Sequence, residues 1–130
     1  MLKGGQDSLS KFTRTSRLKT KQEFQFVFAK PGKVAHKYLL ALYRPNERSH
    51  ARLGIIVGKH HIKTAVARNQ LRRVIRESFR HHQEALKGLD IIVLVRSECT
   101  SLLRSLQGKK ILRDDIGNLW QALIKCSRLS

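Results

Sequence analysis

Ala65-Val66-Ala67-Arg68-Asn69-Gln70-Leu71-Arg72-Arg73-Val74-Ile75-Arg76-Glu77-Ser78-Phe79-Arg80 stands between two short apolar runs, Leu53-Gly54-Ile55-Ile56-Val57-Gly58 before it and Ile91-Ile92-Val93-Leu94-Val95 after it. The middle segment has a helical period. At about 100° per residue, Arg68, Arg72, Arg76 and Arg80 succeed one another at i, i+4, with Asn69 and Arg73 on the same flank. Ala67, Leu71, Val74 and Ile75 share the other flank, so one side of the helix is cationic and the other is core. The flanking runs read as strands, and the β-branched second run suits the buried centre of a sheet. Strand, helix and strand in that order predict an α+β fold.

Outward from this unit, the run from Tyr38 to Tyr43 precedes the turn-forming Pro45-Asn46, and it fits best as an antiparallel partner of the Leu53 run. Thr20 stands three residues before Glu23, the spacing of a capping box. Behind it Phe24, Val27 and Phe28 fall on one face of a short helix that Pro31 and Gly32 stop. Towards the other end, a short segment around Ser101 to Gln107 closes at Gly108. A longer amphipathic helix carries Leu112, Ile116, Leu119, Trp120, Leu123 and Ile124. A chain of 130 residues supports one core. The expected organisation is a flexible basic arm over 1–16, a single domain over 17–126 and a tail over 127–130.

Charge narrows the class of partner. Lys and Arg number 27 against 9 Asp and Glu, a formal net charge of +18. Such an excess suits a dense polyanion. Like charges at i, i+4 each cost about 0.2 to 0.5 kcal/mol in an isolated helix, with only Glu77 nearby to relieve them. The row therefore works against the helix that carries it, where a merely solvated face would mix signs. Arginine suits phosphate because its planar fork donates two parallel hydrogen bonds. Asn69 adds an amide able to pair with a base edge or a 2′-hydroxyl.

Other classes find little support. No run approaches the length of a membrane span, and the first sixteen residues lack the apolar stretch of a secretory signal. Membrane binding is not expected, and the cytoplasm is the expected compartment. Cys99 and Cys126 match no zinc spacing, and His60-His61 and His81-His82 lack an H-x-x-x-H pattern. The adjacent Asp114 and Asp115 point about 100° apart on a helix. No metal site or catalytic residue is assigned to the chain.

The stretch from Gly54 to Arg80, above all Ala67 to Arg80, resembles the "RNR" helix of the bacterial ribonuclease P protein component. The likeness extends over about residues 17–125, including Arg17-Leu18-Lys19 before an aromatic helix and the late apolar strand after Asp90. It implies a single-domain α/β sandwich, with a small mixed sheet of about four strands and a left-handed βαβ crossover, like a domain of ribosomal proteins. It further implies a non-catalytic subunit that binds ribonuclease P RNA and precursor tRNA and promotes removal of the 5′ leader. The RNA would do the chemistry with Mg²⁺. The protein would be monomeric, one per RNA, with no cofactor of its own.

Carried over by residue, the resemblance assigns RNA contact to Arg68, Asn69, Arg72, Arg73 and Arg76. Arg80 continues the row, and Lys59, His60 and Lys63 precede it. Gln70 stands where the family usually has arginine, and Lys59-His60 replaces a pair of lysines. A second family site, a cleft for the single-stranded leader, maps to Phe24, Phe28, Leu40 and Leu42, where a ring can stack a base of any identity. Two rival readings remain. A ribosomal or ribosome-assembly protein would share the basicity without the cleft, and an autonomous ribonuclease would need a carboxylate cluster that the sequence does not offer.

Overall fold

The computed structural model describes residues 16–129, so residues 1–15 of the arm expected over 1–16 lie outside the described residues, while Ser16 is buried and bonded to Gln83. Helix α1 (Lys21–Ala29) leads to strands β1 (Gly32–Ala35), β2 (Leu39–Pro45) and β3 (Arg52–Ile56). Helix α2 (Ala65–His82), strand β4 (Leu89–Val95), the one-turn α3 (Cys99–Leu102) and helix α4 (Leu106–Leu129) complete the chain. The segment 127–129, expected as a tail, continues α4.

The four strands form one mixed sheet in the order β1-β2-β4-β3. Here the expected antiparallel pairing of the Tyr38 and Leu53 runs fails. Strand β4 lies between β2 and β3, antiparallel to β2 and parallel to β3. Alternation alone cannot choose neighbours. What places β4 at the centre is its apolar run from Ile91 to Val95: only Leu94 escapes burial, because helices cover both faces. Strand β1, which the sequence reading did not delimit, closes the edge against β2. Gly32 is needed there because its register partner Tyr43 lays its ring where a side chain would stand.

Two cores lie on opposite sides of the sheet. On one side Leu71, Ile75 and Phe79 of α2 meet Leu112, Ile116, Leu119, Trp120 and Leu123 of α4 over Leu39, Ala41, Leu53, Ile91 and Val93. Phe79 and Trp120 pack edge to face with ring centres 5.8 Å apart, an arrangement worth about 0.5 to 1.5 kcal/mol beyond area burial. The Trp120 indole N–H donates to Ser78 Oγ at 2.8 Å. On the other side Leu18, Val27, Leu42 and Ile92 form a smaller core beneath α1. Gly108 does not end the preceding segment as expected. It sits in the first turn of α4, where a Cβ would strike the Leu102 carbonyl, and its amide is capped by Ser105 Oγ at 2.9 Å.

A buried polar cluster fastens α1 to the sheet. Thr20 and Glu23 form the expected capping box. The second Glu23 oxygen accepts from Arg52 Nη1 at 2.9 Å. Arg52 also grips Asp90 in two bonds, Nε to Oδ1 at 2.8 Å and Nη2 to Oδ2 at 2.6 Å. Asn46 Nδ2 donates to the same Asp90 at 2.8 Å. Asp90 is wholly buried, so Arg52→Ala should strand its charge and destabilise the fold by about 3 to 5 kcal/mol, read from chemical denaturation. The amides of Lys19 and Thr20, then the Arg52 charge, hold the Glu23 carboxyl below its usual value of 4.5. A depressed folded-state pKa stabilises at pH values above the unfolded value. This contribution should vanish as pH falls below 4.5 through the folded-state pKa, and Glu23→Gln should flatten that part of the profile.

Candidate nucleic-acid interface

Thr64 caps α2 by accepting from the Ala67 amide at 3.1 Å, and the helix then runs unbroken for 18 residues. With Leu71, Ile75 and Phe79 fully buried and Ala67 and Val74 packed beside them, the opposite arc of the helix faces outward. Asn69, Arg73, Arg76, Glu77 and Arg80 line one open cavity of about 360 Å³ there. Among the described residues, neither Arg72 nor Arg73 has a carboxylate within ion-pair distance. Arg80 differs. Its guanidinium donates to Glu77, and Glu77 also meets His81 Nε2 at 3.2 Å.

Arg68 is partly committed to the fold. Its Nη1 donates to the carbonyls of Ile62 at 2.8 Å and Lys63 at 3.1 Å, tying the loop 57–64 to the first turn of α2. Ile62 anchors that loop in the core, and the exposed Lys59, His60 and Lys63 stand on it at the amino end of the helix. Strand β3 ends at Ile56, so Lys59 belongs to the loop and not to a strand end. Gln70 is half-buried.

Arg17 joins this surface from the opening segment. A bridge between Arg17 and Leu53 and the Leu18 amide bonded to the Leu53 carbonyl at 3.0 Å lay the chain along the free edge of β3. Arg17 and Arg76 then share a cavity of about 120 Å³ with Leu18, Phe24, Gly54 and Ile55. Burial, then the neighbouring charges of Arg17 and Arg72, press the Arg76 pKa below its usual value. Arg17 was noted in sequence only as part of a family resemblance. Its place beside the ladder depends on a strand pairing that local pattern does not reveal.

The four leader-cleft positions divide. Leu42 is buried with Val27 and Ile92, and Phe24 packs partly against them, its ring within 2.6 Å of where a Gly54 Cβ would stand. Leu42 thus lies in the core, while half-buried Phe24 also lines the cavity with Arg17 and Arg76. Phe28 is 44% exposed, and Leu40 is half-buried on the same sheet face as Leu42. Phe26, which sequence reasoning passed over, lies 3.9 Å beneath the Arg44 guanidinium, whose Nη1 donates to the Phe26 carbonyl at 2.7 Å.

The donor set does not fit a metal ion. Among the described residues no group of three or more His, Cys, Asp or Glu side chains could hold one. Most of the acids already hold cations: Glu23 and Asp90 hold Arg52, Glu84 holds Lys87, and Asp114 holds Lys110. Asp115 reaches His36 Nδ1 at 3.1 Å. Nor is Cys99 a poised nucleophile, since burial, then the charges of Asp115 and Glu98, push its thiol up to about 12. Its Sγ donates to the Tyr38 carbonyl at 3.3 Å. Alkylation of the native protein near pH 8 should therefore modify the half-buried Cys126 and spare Cys99 until the chain unfolds, as peptide mass analysis would report.

The fold and site define a basic α+β module that presents an arginine-rich helix braced on a rigid core. Residues 12–123 match the family model described as Ribonuclease P. The ribonuclease P protein component of Pseudomonas aeruginosa is 45% identical over 115 residues, spanning 88% of this chain and 82% of that one. Among solved structures, the RNase P protein of Thermotoga maritima superposes with a TM-score of 0.71 at 29% identity, covering 82% of this chain and 96% of that one. The Staphylococcus aureus RNase P protein gives 0.66 at 31% identity, covering 86% and 94%. The chain belongs to the ribonuclease P protein component family. No helix among the described residues is long and apolar enough to cross a membrane.

Proposed function

We propose that this chain serves as the protein subunit of ribonuclease P in the cytoplasm, one copy to each RNA, supporting removal of the 5′ leader from precursor tRNA. The observation that carries the reading is the outward arc of α2, where Arg72 and Arg73 have no carboxylate partner among the described residues. An intact helix that holds such a row without internal neutralisation gains by meeting phosphates.

In this reading Asn69, Arg72, Arg73 and Arg76 grip the RNA subunit directly. Arg80 contributes once RNA phosphate displaces Glu77. Arg68 acts in part by shaping the loop that offers Lys59, His60 and Lys63. Phe28 and Leu40 provide the accessible part of the leader surface, while Phe24 and Leu42 support it from beneath. The hydrolytic step and its Mg²⁺ belong to the RNA. The protein's part is to screen phosphate repulsion and hold the substrate in register, which raises effective concentration at the cleavage point. A ribosomal role is not favoured, because the chain belongs to the ribonuclease P protein component family.

Reconstitution tests the assignment. With bacterial ribonuclease P RNA at low Mg²⁺, the protein should restore leader cleavage, and protein alone should cleave nothing. Arg72→Ala should flatten the dependence of log affinity on log salt by roughly one unit. An unchanged slope would show that this arginine faces only solvent. Phe28→Ala, chosen because the ring is exposed, should weaken binding of leader-bearing precursor by about 5- to 100-fold, as expected for loss of one stacked base. Binding of mature tRNA by the same holoenzyme should not change. Equal losses for both substrates would refute a leader role for Phe28.

A further inference from the structure

The outer surface of α2 does not end at the ladder. Beyond Glu77 the helix meets α4, and between the two runs a groove of about 480 Å³ lined by Arg73, Val74, Glu77, Ser78, His81 and Arg113. Arg113 is exposed on α4, and among the described residues it has no carboxylate within ion-pair distance. Its acidic neighbours are engaged elsewhere, Asp114 by Lys110 at 3.1 Å and Asp115 by His36 at 3.1 Å. Glu77, the one acid of the groove, is drawn to Arg80 and His81.

Two guanidiniums thus face one groove from two helices, and no acid in it is left over for them. Its floor is different in kind. Val74 is apolar, and the Ser78 hydroxyl already accepts the Trp120 indole N–H at 2.8 Å. Charged rims over a largely apolar floor fit a nucleotide, with the phosphate between the arginines and the sugar or base across Val74. An acidic peptide could satisfy the rims as well, but Arg73 lines both this groove and the ladder cavity, so an RNA gripped by the ladder already stands at the groove's edge.

Resting on the reading of the chain as an RNA-bound subunit, we infer that the groove between α2 and α4 takes a nucleotide of the same RNA, with Arg113 as a phosphate contact outside the arginine ladder. The footprint then crosses the outward arc of α2 and ends on α4. Arg73 serves both sides, because it lines the ladder cavity as well as the groove.

The test compares wild type, Arg72→Ala, Arg113→Ala and Arg113→Lys in equilibrium binding to bacterial ribonuclease P RNA across a salt series. Thermal melts establish that each variant is folded, as expected for an exposed position. Arg113→Ala should weaken binding about 3- to 10-fold and flatten the salt slope by roughly one unit. Arg113→Lys should keep the slope and recover part of the affinity. If Arg72→Ala weakens binding and Arg113→Ala does not, the groove does not hold this RNA and the inference is overturned, leaving the groove to a protein partner. If neither substitution matters, the RNA-subunit reading itself falls.

Discussion

Strand β4 is covered by helices on both faces and flanked by strands of opposite sense, and the rest of the molecule arranges itself around that constraint. Parallel pairing with β3 cannot be closed by a tight turn, so the chain must cross the sheet, and the crossover is α2. A helix held down by Leu71, Ile75 and Phe79 has one orientation, and that orientation fixes where its arginines point. The cationic surface is therefore a consequence of sheet order. Because α2 and α4 fill one face, α1 must take the other, and the two candidate surfaces come close only at the edge of β3, where Phe24 and Arg76 share a cavity with Gly54.

Charge is distributed by the same economy of position. The acids are not scattered to relieve the excess of cations. Three of them sit at joints, Glu23 and Asp90 where α1 meets the sheet and Asp115 where the residue after β1 meets α4, and Asp114 pairs along α4 itself. Only Glu77 lies within the basic arc, and it serves Arg80 and His81 at its carboxyl end. The middle of the helix keeps its positive field, at a cost in helix stability that the core beneath offsets.

Much of this was readable from residue order. The period of α2, the capping box of α1, the amphipathic face of α4 and the central character of β4 all rest on local spacing, which sequence records directly. Partner choice within the sheet was not readable, since an apolar run such as Leu39 to Leu42 suits β3 or β4 equally. The Arg52 to Asp90 bond could have been suspected: opposite charges open two neighbouring parallel strands, and the register sets them side by side. Gly108 looked like a stop because glycine commonly follows a helix, whereas here it admits the carbonyl of Leu102. At the candidate site, the ladder was legible as a pattern, but the diversion of Arg68 to the loop carbonyls and the approach of Arg17 depend on tertiary geometry.

The opening segment carries a mechanical consequence. Ser16 Oγ donates to Gln83 Oε1 at 3.0 Å just past the end of α2, and the next two residues are stitched to Leu53 on β3. One short stretch of chain is thereby fastened both to β3 and to the residue that follows the crossover helix. The segment therefore acts as a brace between the free edge of the sheet and the end of the arginine helix, so that tilting the helix would require breaking these contacts.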